Sequence, residues 1–249
     1  MPPDRTAPAA ERSSLILRRL RRAYPDARIA LNFSTPLECV IATILSAQST
    51  DATVNLVTPG LFAKYRTAED LLRVPEEELQ TDIHATGFFR QKTRALRGMA
   101  QTLIERFDGQ VPHRIADLVQ LPGVARKTAN IVQSACFPEA ARRDRDAGIA
   151  VDTHVGRVAV RLNLTSHGPK DAEKIERDLM DLIPRRTWPQ VAHLFIEHGR
   201  RTCDARRPRC DDCPVESLCP SSELAGCEDL YRLRSKRASK TAPRGGTPA

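Results

Sequence analysis

Apolar residues recur along this chain at helical spacing. Leu37, Val40, Ile41, Ile44 and Leu45 follow an i, i+3, i+4, i+7, i+8 series, which puts them on one face of an amphipathic helix. The same stripe returns at Val155, Val158, Ala159 and Leu162, and again at Ile175, Leu179, Leu182 and Ile183. Ile115, Leu118 and Val119 predict a shorter helix, which Leu121-Pro122-Gly123-Val124 interrupts. A second helix then runs from about Ala125 through Ile131, Val132 and Ala135. Proline and glycine punctuate between these stripes, at Pro75, Gly87, Pro112, Gly168-Pro169, Pro184 and Pro189. No strand-like alternation competes with them, so the pattern predicts an all-α fold. The segment 137–148, where Arg142, Arg143 and Arg145 alternate with Asp144 and Asp146, reads as a polar connection between domains. Beyond about Leu233 the chain lacks core-forming residues and reads as a tail.

Composition narrows the picture. Hydrophobic residues at 41% suffice for a buried core. The longest strongly apolar run, Val40 to Leu45, is far too short to span a bilayer, and the first fourteen residues lack the apolar centre of a signal peptide. These features predict a cytoplasmic protein. A net charge of +8 and a pI near 9.4 favour a polyanionic partner, nucleic acid before a membrane surface. Basic residues cluster at Arg18, Arg19, Arg21 and Arg22, at Arg200, Arg201, Arg206, Arg207 and Arg209, and in a tail without acidic residues from Arg232 onward. Only 7 of the 39 basic residues are lysines, and a guanidinium cannot serve as an amine nucleophile, so amine chemistry has few candidates.

Seven cysteines in a chain without a secretion signal argue for reduced thiols rather than a disulfide framework. Four of them lie within seventeen residues, as Cys203-x6-Cys210-x2-Cys213-x5-Cys219, on a loop broken by Pro208 and Pro214. Four thiolates so close can converge on one tetrahedral sulfur site, either zinc or an iron–sulfur cluster. A single Cys-x-x-Cys pair, where zinc ribbons usually have two, mildly disfavours zinc. Cys39, Cys136 and Cys227 have no partners at ligand spacing and read as packing residues.

The interrupted helix pair around Pro122-Gly123 offers free backbone N–H groups at the start of its second helix, a good phosphate site that reads no sequence. The pattern alone fits a plain αα-hairpin equally well. Lys127 falls in the first turn of that second helix, where an amine can pair with phosphate or act as a nucleophile that forms a Schiff base. Downstream, Val151-Asp152-Thr153-His154 precedes the Val155–Leu162 stripe. Asp152 is placed to cap that helix, which would also fix the position of a carboxylate.

Three of these motifs together resemble the endonuclease III family of helix-hairpin-helix DNA glycosylases: Leu121 through Asn130, Val151 through His154, and the four-cysteine loop. Leu45 through Asp51 and Gly199 through Cys203 match as well, and the resemblance runs from roughly Leu15 to Pro220. It implies a two-lobed fold, with a six-helix domain holding the hairpin and a helical domain holding a [4Fe–4S] cluster on Cys203, Cys210, Cys213 and Cys219. On this basis residues 1–30 join the iron–sulfur domain, 31–138 form the six-helix domain, 139–231 complete the cluster domain, and 232–249 form a basic disordered tail.

The resemblance also implies a monomeric base excision repair enzyme acting on double-stranded damaged DNA, in a nucleoid-associated setting. Base flipping exposes the sugar; Lys127 attacks C1′, assisted by Asp152, expels an oxidised pyrimidine, and the strand breaks by β-elimination. Gln48 fills the gap left by the flipped nucleotide and Phe88 wedges between bases. Gly123, Val124, Ala125, Arg126 and His154 complete the DNA contacts. Two departures stand out. Ala125 replaces a second glycine in the hairpin, which is tolerable if the position is already helical, and the segment 139–148 is several residues longer than usual. A monofunctional adenine-mismatch glycosylase needs no lysine at position 127, and a non-catalytic hairpin DNA-binding protein leaves Asp152 and Gln48 unexplained.

Overall fold

The computed structural model describes residues 2–241, with side chains described at the C-terminal end as far as 236. Among the described residues, the regular structure is entirely helical. The chain divides into two compact units. One is Ile29–Ala147; the other joins the chain up to Arg28 with the chain from Gly148 onward.

In the Ile29–Ala147 unit, α2 (Pro36–Leu45) begins at a capping box. Thr35 accepts from the Glu38 N–H while the Glu38 carboxylate reaches back to the N–H of Thr35, and Pro36 presets the first turn. One apolar face was expected of this helix, yet every residue from Cys39 to Leu45 is buried. The reason is tertiary: α2 is packed by α3 (Asp51–Lys64), α6 (Phe89–Phe107) and α8 (Arg126–Cys136), so no side of its C-terminal half meets water. Cys39 hydrogen-bonds Cys136 at the end of α8, and that bond together with burial pushes its thiol up. These two cysteines do pack, but against each other.

The short helices α4 (Ala68–Arg73) and α5 (Glu76–Asp82) lie against α6. Arg97 of α6 donates to the carbonyls of Leu71 at 3.1 Å and Val74 at 2.9 Å, satisfying the open end of α4. The expected six helices are α2–α6 and α8; two further short segments, α7 (Ile115–Leu118) and α9 (Pro138–Arg143), bracket α8.

Residues 139–147 were expected to form a connection grouped with the cysteine loop. Instead they belong to the hairpin's unit. The Asp144 carboxylate explains this, accepting from the N–H of Ile115 at 2.8 Å and from Gln133 Nε2 at 2.6 Å, so the segment is stitched to α7 and α8.

The second unit contains α1 (Ala9–Ala23), α10 (Thr153–Arg161), α11 (Ala172–Leu182), α12 (Trp188–Arg201) and α13 (Leu230–Thr241). Ile16, Leu20, Val155, Ala159, Ile175, Leu179 and Phe195 form its core. The stripe read from sequence on α11 lies on its buried face, whereas α10 is buried on every side from Val155 to Arg161. Arg12, only 1% exposed, lies inside this core and donates to the carbonyls of Leu162 and Leu218, both at 2.8 Å. Two arginines of the α1 cluster are also structural, Arg19 donating to Ser217 and Arg21 to Gln190.

The basic tail expected from residue 232 is helical as far as Thr241. Arg232 pairs with Asp229 at 3.3 Å, and Arg234 donates to Asn163 Oδ1 at 2.7 Å and to the Thr165 carbonyl, so its first turns are docked. The remainder of that expected tail, 242–249, lies outside the described residues.

Candidate functional site

In the Ile29–Ala147 unit the hairpin is built around one glycine. Gly123 has φ +81°, a left-handed backbone that L side chains rarely adopt. A Cβ there would lie 3.0 Å from Ala95 Cβ and 3.4 Å from Ile44 Cδ1, so the turn is pressed against both α6 and α2. Pro122 packs on Gly98, one turn further along α6. Val124 faces inward: its side chain is in the core and its N–H donates to the Leu121 carbonyl, leaving it no N–H to offer an outside partner. Gly123 and Ala125 make no backbone hydrogen bond through their N–H groups among the described residues. Ala125 is not helical, as its tolerance seemed to require; it is the extended N-cap of α8 at φ −82°. Alanine is comfortable at that φ, which accounts for the missing second glycine.

The N-cap Ala125 makes no side-chain cap bond to α8, whose first turn carries Arg126 and Lys127. Lys127 is exposed, in the first turn of this helix.

Two further residues singled out from sequence share an unusual geometry. Gln48 (φ 55°) and Phe88 (φ 49°) are both in the left-handed region without being glycine, and both are exposed. Phe88 is 59% exposed, which excludes a core role for this aromatic. Such strain persists only where the surroundings enforce it, and it gathers at functional positions. The sequence reading missed a residue that joins the two segments carrying them, Lys92. It is buried on α6 and donates to the carbonyls of Leu45 and Thr86. Its one signal in the sequence was being a lysine in a chain that otherwise prefers arginine.

In the other unit, Asp152 is the N-cap of α10. It is half-buried and its Oδ1 accepts from the Val155 N–H at 2.8 Å. His154 follows in the first turn and meets Arg157 Nη2 at 3.0 Å through Nδ1.

Arg157 and Arg161, also unforeseen, reach from α10 to the cysteine loop. Arg157 donates to the Cys203 carbonyl at 2.9 Å. Arg161 contacts Cys203 Sγ at 3.3 Å, the Ala205 carbonyl at 3.1 Å and Asp229 at 3.0 Å. They are cations inside an apolar stripe, a pattern that marks a buried partner without naming it.

Cys203, Cys210, Cys213 and Cys219 all line one pocket of about 20 Å³, together with Leu162, Val215, His198 and Arg161. Burial pushes the Cys213 and Cys219 thiols up to about 12 and raises Cys203 as well. Protonated thiols of that kind become good ligands only when a metal centre supplies the positive charge. Among the described residues, no three cysteine, histidine or carboxylate side chains stand close enough to grip a single ion. Arg206, Arg207 and Arg209 are exposed on the same loop, where the Asp204 carboxylate accepts from the N–H groups of Arg206 and Arg207 and shapes the turn.

Comparison with known proteins agrees with this picture. A family model described as HhH-GPD superfamily base excision DNA repair protein matches residues 41–185. The chain is 45% identical to an endonuclease III of Synechocystis sp., over 86% of this chain and 94% of that protein. It is 39% identical to endonuclease III of Escherichia coli (strain K12), over 84% of this chain and 94% of that protein. Among solved structures it resembles an endonuclease III trapped in a covalent intermediate with DNA, with a TM-score of 0.79 at 39% identity, covering 87% of this chain and 98% of that one. A non-covalent endonuclease III–DNA complex matches to the same degree.

Proposed function

The chain belongs to the HhH-GPD superfamily of base excision DNA repair proteins, within the endonuclease III family, and from that premise we propose that it is a bifunctional DNA glycosylase and AP lyase. Its substrate is double-stranded DNA carrying oxidised pyrimidines. The observation that carries the reading is Lys127: an exposed amine in the first turn of α8, behind a tight turn made by Gly123 at φ +81°.

In this reading the hairpin's N–H groups at Gly123 and Ala125, with the Arg126 side chain, hold a backbone phosphate. Val124 serves by packing the turn rather than by touching DNA. The target nucleotide leaves the stack, Gln48 and Phe88 occupying the space it vacates. Asp152 deprotonates or orients the Lys127 amine, and in its ionised form it favours the cationic sugar that develops as the base departs. The amine forms a bond to C1′ while the C1′–N bond breaks and the base leaves with the electron pair. Opening of the sugar at O4′ yields an imine. Loss of a C2′ proton then expels the 3′ phosphate, and water releases the chain. His154, beside Asp152, contacts the strand near the reacting sugar.

The four cysteines suit a [4Fe–4S] cluster better than zinc. The loop has a single Cys-x-x-Cys pair, where zinc ribbons usually have two. Such a cluster would be held by Cys203, Cys210, Cys213 and Cys219, and its bonds would fix the loop that presents Arg206, Arg207 and Arg209 to phosphates. Visible absorption with iron and sulfide analysis tests this; stoichiometric zinc refutes it.

Among the described residues no helix is long and apolar enough to cross a membrane. We place the protein in the cytoplasm with the nucleoid, acting as a monomer.

Borohydride trapping on duplex DNA with an oxidised pyrimidine tests the chemistry. The wild type should give a covalent adduct and Lys127→Ala none. An undiminished adduct from Lys127→Ala refutes the assignment, and no adduct from the wild type favours a glycosylase that activates water or a protein that only binds.

A further inference from the structure

Gln48 and Phe88 lie forty residues apart in sequence, yet the same buried cation holds the segments that carry them. Lys92 is 4% exposed, and its ammonium donates to the Leu45 carbonyl at 2.6 Å and the Thr86 carbonyl at 2.8 Å. Leu45 is the last residue of α2, three positions before Gln48. Thr86 ends a 3-10 turn two positions before Phe88. Carbonyls at helix ends carry unsatisfied negative partial charge, and an ammonium has N–H groups enough to serve both. Among the described residues no carboxylate pairs with it; burial lowers its pKa, and the two carbonyls are the groups that face its charge.

A core position does not require this. Thr93, Leu96 and Ala100 of the same helix are buried, and an apolar residue at 92 would pack among them without the cost of burying a charge. What the cation adds is geometric. It ties the end of α2 to the end of the 3-10 turn, and left-handed residues follow each, Gln48 at φ 55° three positions on and Phe88 at φ 49° after Gly87 at φ 70°. The same helix continues the arrangement one turn on. Ala95, three residues after Lys92, seats Gly123 of the hairpin, and Gly98 seats Pro122. One face of α6 therefore sets the two exposed tips and the phosphate-gripping turn in a common frame.

We propose that Lys92 is a positioning residue that locks Gln48 and Phe88 into a single preformed device for entering the duplex where a nucleotide is displaced. It touches neither DNA nor the reacting sugar, and it acts only through those two side chains. The proposal rests on the glycosylase/lyase reading for the purpose of the device, but not for its geometry.

The test compares the full-length wild type, Lys92→Met, the pair Gln48→Ala/Phe88→Ala, and all three changes together. Lys92→Met should bind undamaged duplex with unchanged salt dependence and trap normally on single-stranded abasic DNA, where no stack must be entered. On lesion-bearing duplex its single-turnover rate should fall at least tenfold. The rise in fluorescence of 2-aminopurine placed beside the lesion should fall with it. In the combined variant the tip substitutions should cost less than twofold beyond Lys92→Met, because the tips are already disengaged.

A Lys92→Met rate within twofold of wild type on duplex overturns the proposal, and so does a defect that multiplies with that of the tips, since that is general destabilisation. If Lys92→Met does not fold, Lys92→Gln, too short to reach both carbonyls, carries the same comparison. A wild type that traps nothing on single-stranded abasic DNA defeats the lyase reading alone, because the 2-aminopurine signal still reports on the tips.

Discussion

Asp152 is asked to do two things, and they can be separated by two substitutions. As the N-cap of α10 it accepts the Val155 N–H at 2.8 Å. Asparagine caps about as well as aspartate, so Asp152→Asn keeps that bond and gives up only the attraction of a negative charge to the helix N-terminus, about 0.3–1 kcal/mol. Asp152→Ala loses the bond too, for a total of about 0.5–2 kcal/mol. In a protein of this size 1 kcal/mol moves Tm by roughly 2–4 °C, so Asp152→Asn should melt within a few degrees of wild type and Asp152→Ala somewhat lower.

The chemistry orders the same variants differently. A proton-transferring carboxylate contributes about 10²–10⁴ in rate, and neither replacement can take a proton from Lys127. Both should therefore lose at least two decades of single-turnover base release, about 2.7 kcal/mol, which exceeds the folding cost of either. Binding to undamaged duplex should be retained. The measurement is thermal melting beside single-turnover kinetics on one lesion duplex. If Asp152→Asn stays within fivefold of the wild-type rate while Asp152→Ala slows only as its stability falls, Asp152 is a helix cap and the general-base assignment is wrong.

Three other outcomes follow from the geometry. Gly123→Ala must adopt φ +81° and place a Cβ 3.0 Å from that of Ala95, so it should lose about 1–2 kcal/mol in denaturant melts and weaken affinity for undamaged duplex. At Asp144, burial pushes the carboxyl up, but the N–H groups of Ile115 and Asp146, Gln133 and nearby Arg114 outweigh it and hold the pKa below the usual carboxylate range. A lowered folded pKa means stability present above the unfolded value of 3.8 and lost as pH falls through the folded one, so the cost of Asp144→Asn, about 1–3 kcal/mol, should be full at pH 6 and shrink below pH 4; urea midpoints across that range check it. Arg161→Lys cannot serve Asp229, the Ala205 carbonyl and Cys203 together, and it should cost about 1–3 kcal/mol by leaving buried acceptors unserved, although Asp229 keeps Arg232. Its iron content should fall with its Tm, and a variant as stable and as iron-loaded as wild type would contradict the clamp.

Much of this protein was legible in one dimension, because helices are local. The apolar stripes on α10 and α11, the proline and glycine that break the hairpin, the cap at Asp152 and the spacing of the four cysteines each depend on residues a few positions apart. Pattern alone therefore determined an all-α chain, a glycine turn ahead of Lys127, and a loop able to gather sulfur. What pattern could not determine is which polar groups would be buried together, since those partners are far apart in sequence. Lys92 meets Leu45, Arg12 meets Leu162 and Leu218, and Arg161 meets Asp229 only after the chain has folded. The same cause assigned 139–147 to the hairpin's unit, buried α2 on all sides, and docked the first turns of the expected tail. A buried cation must find acceptors because it cannot keep its water, and only the tertiary structure decides where those acceptors are.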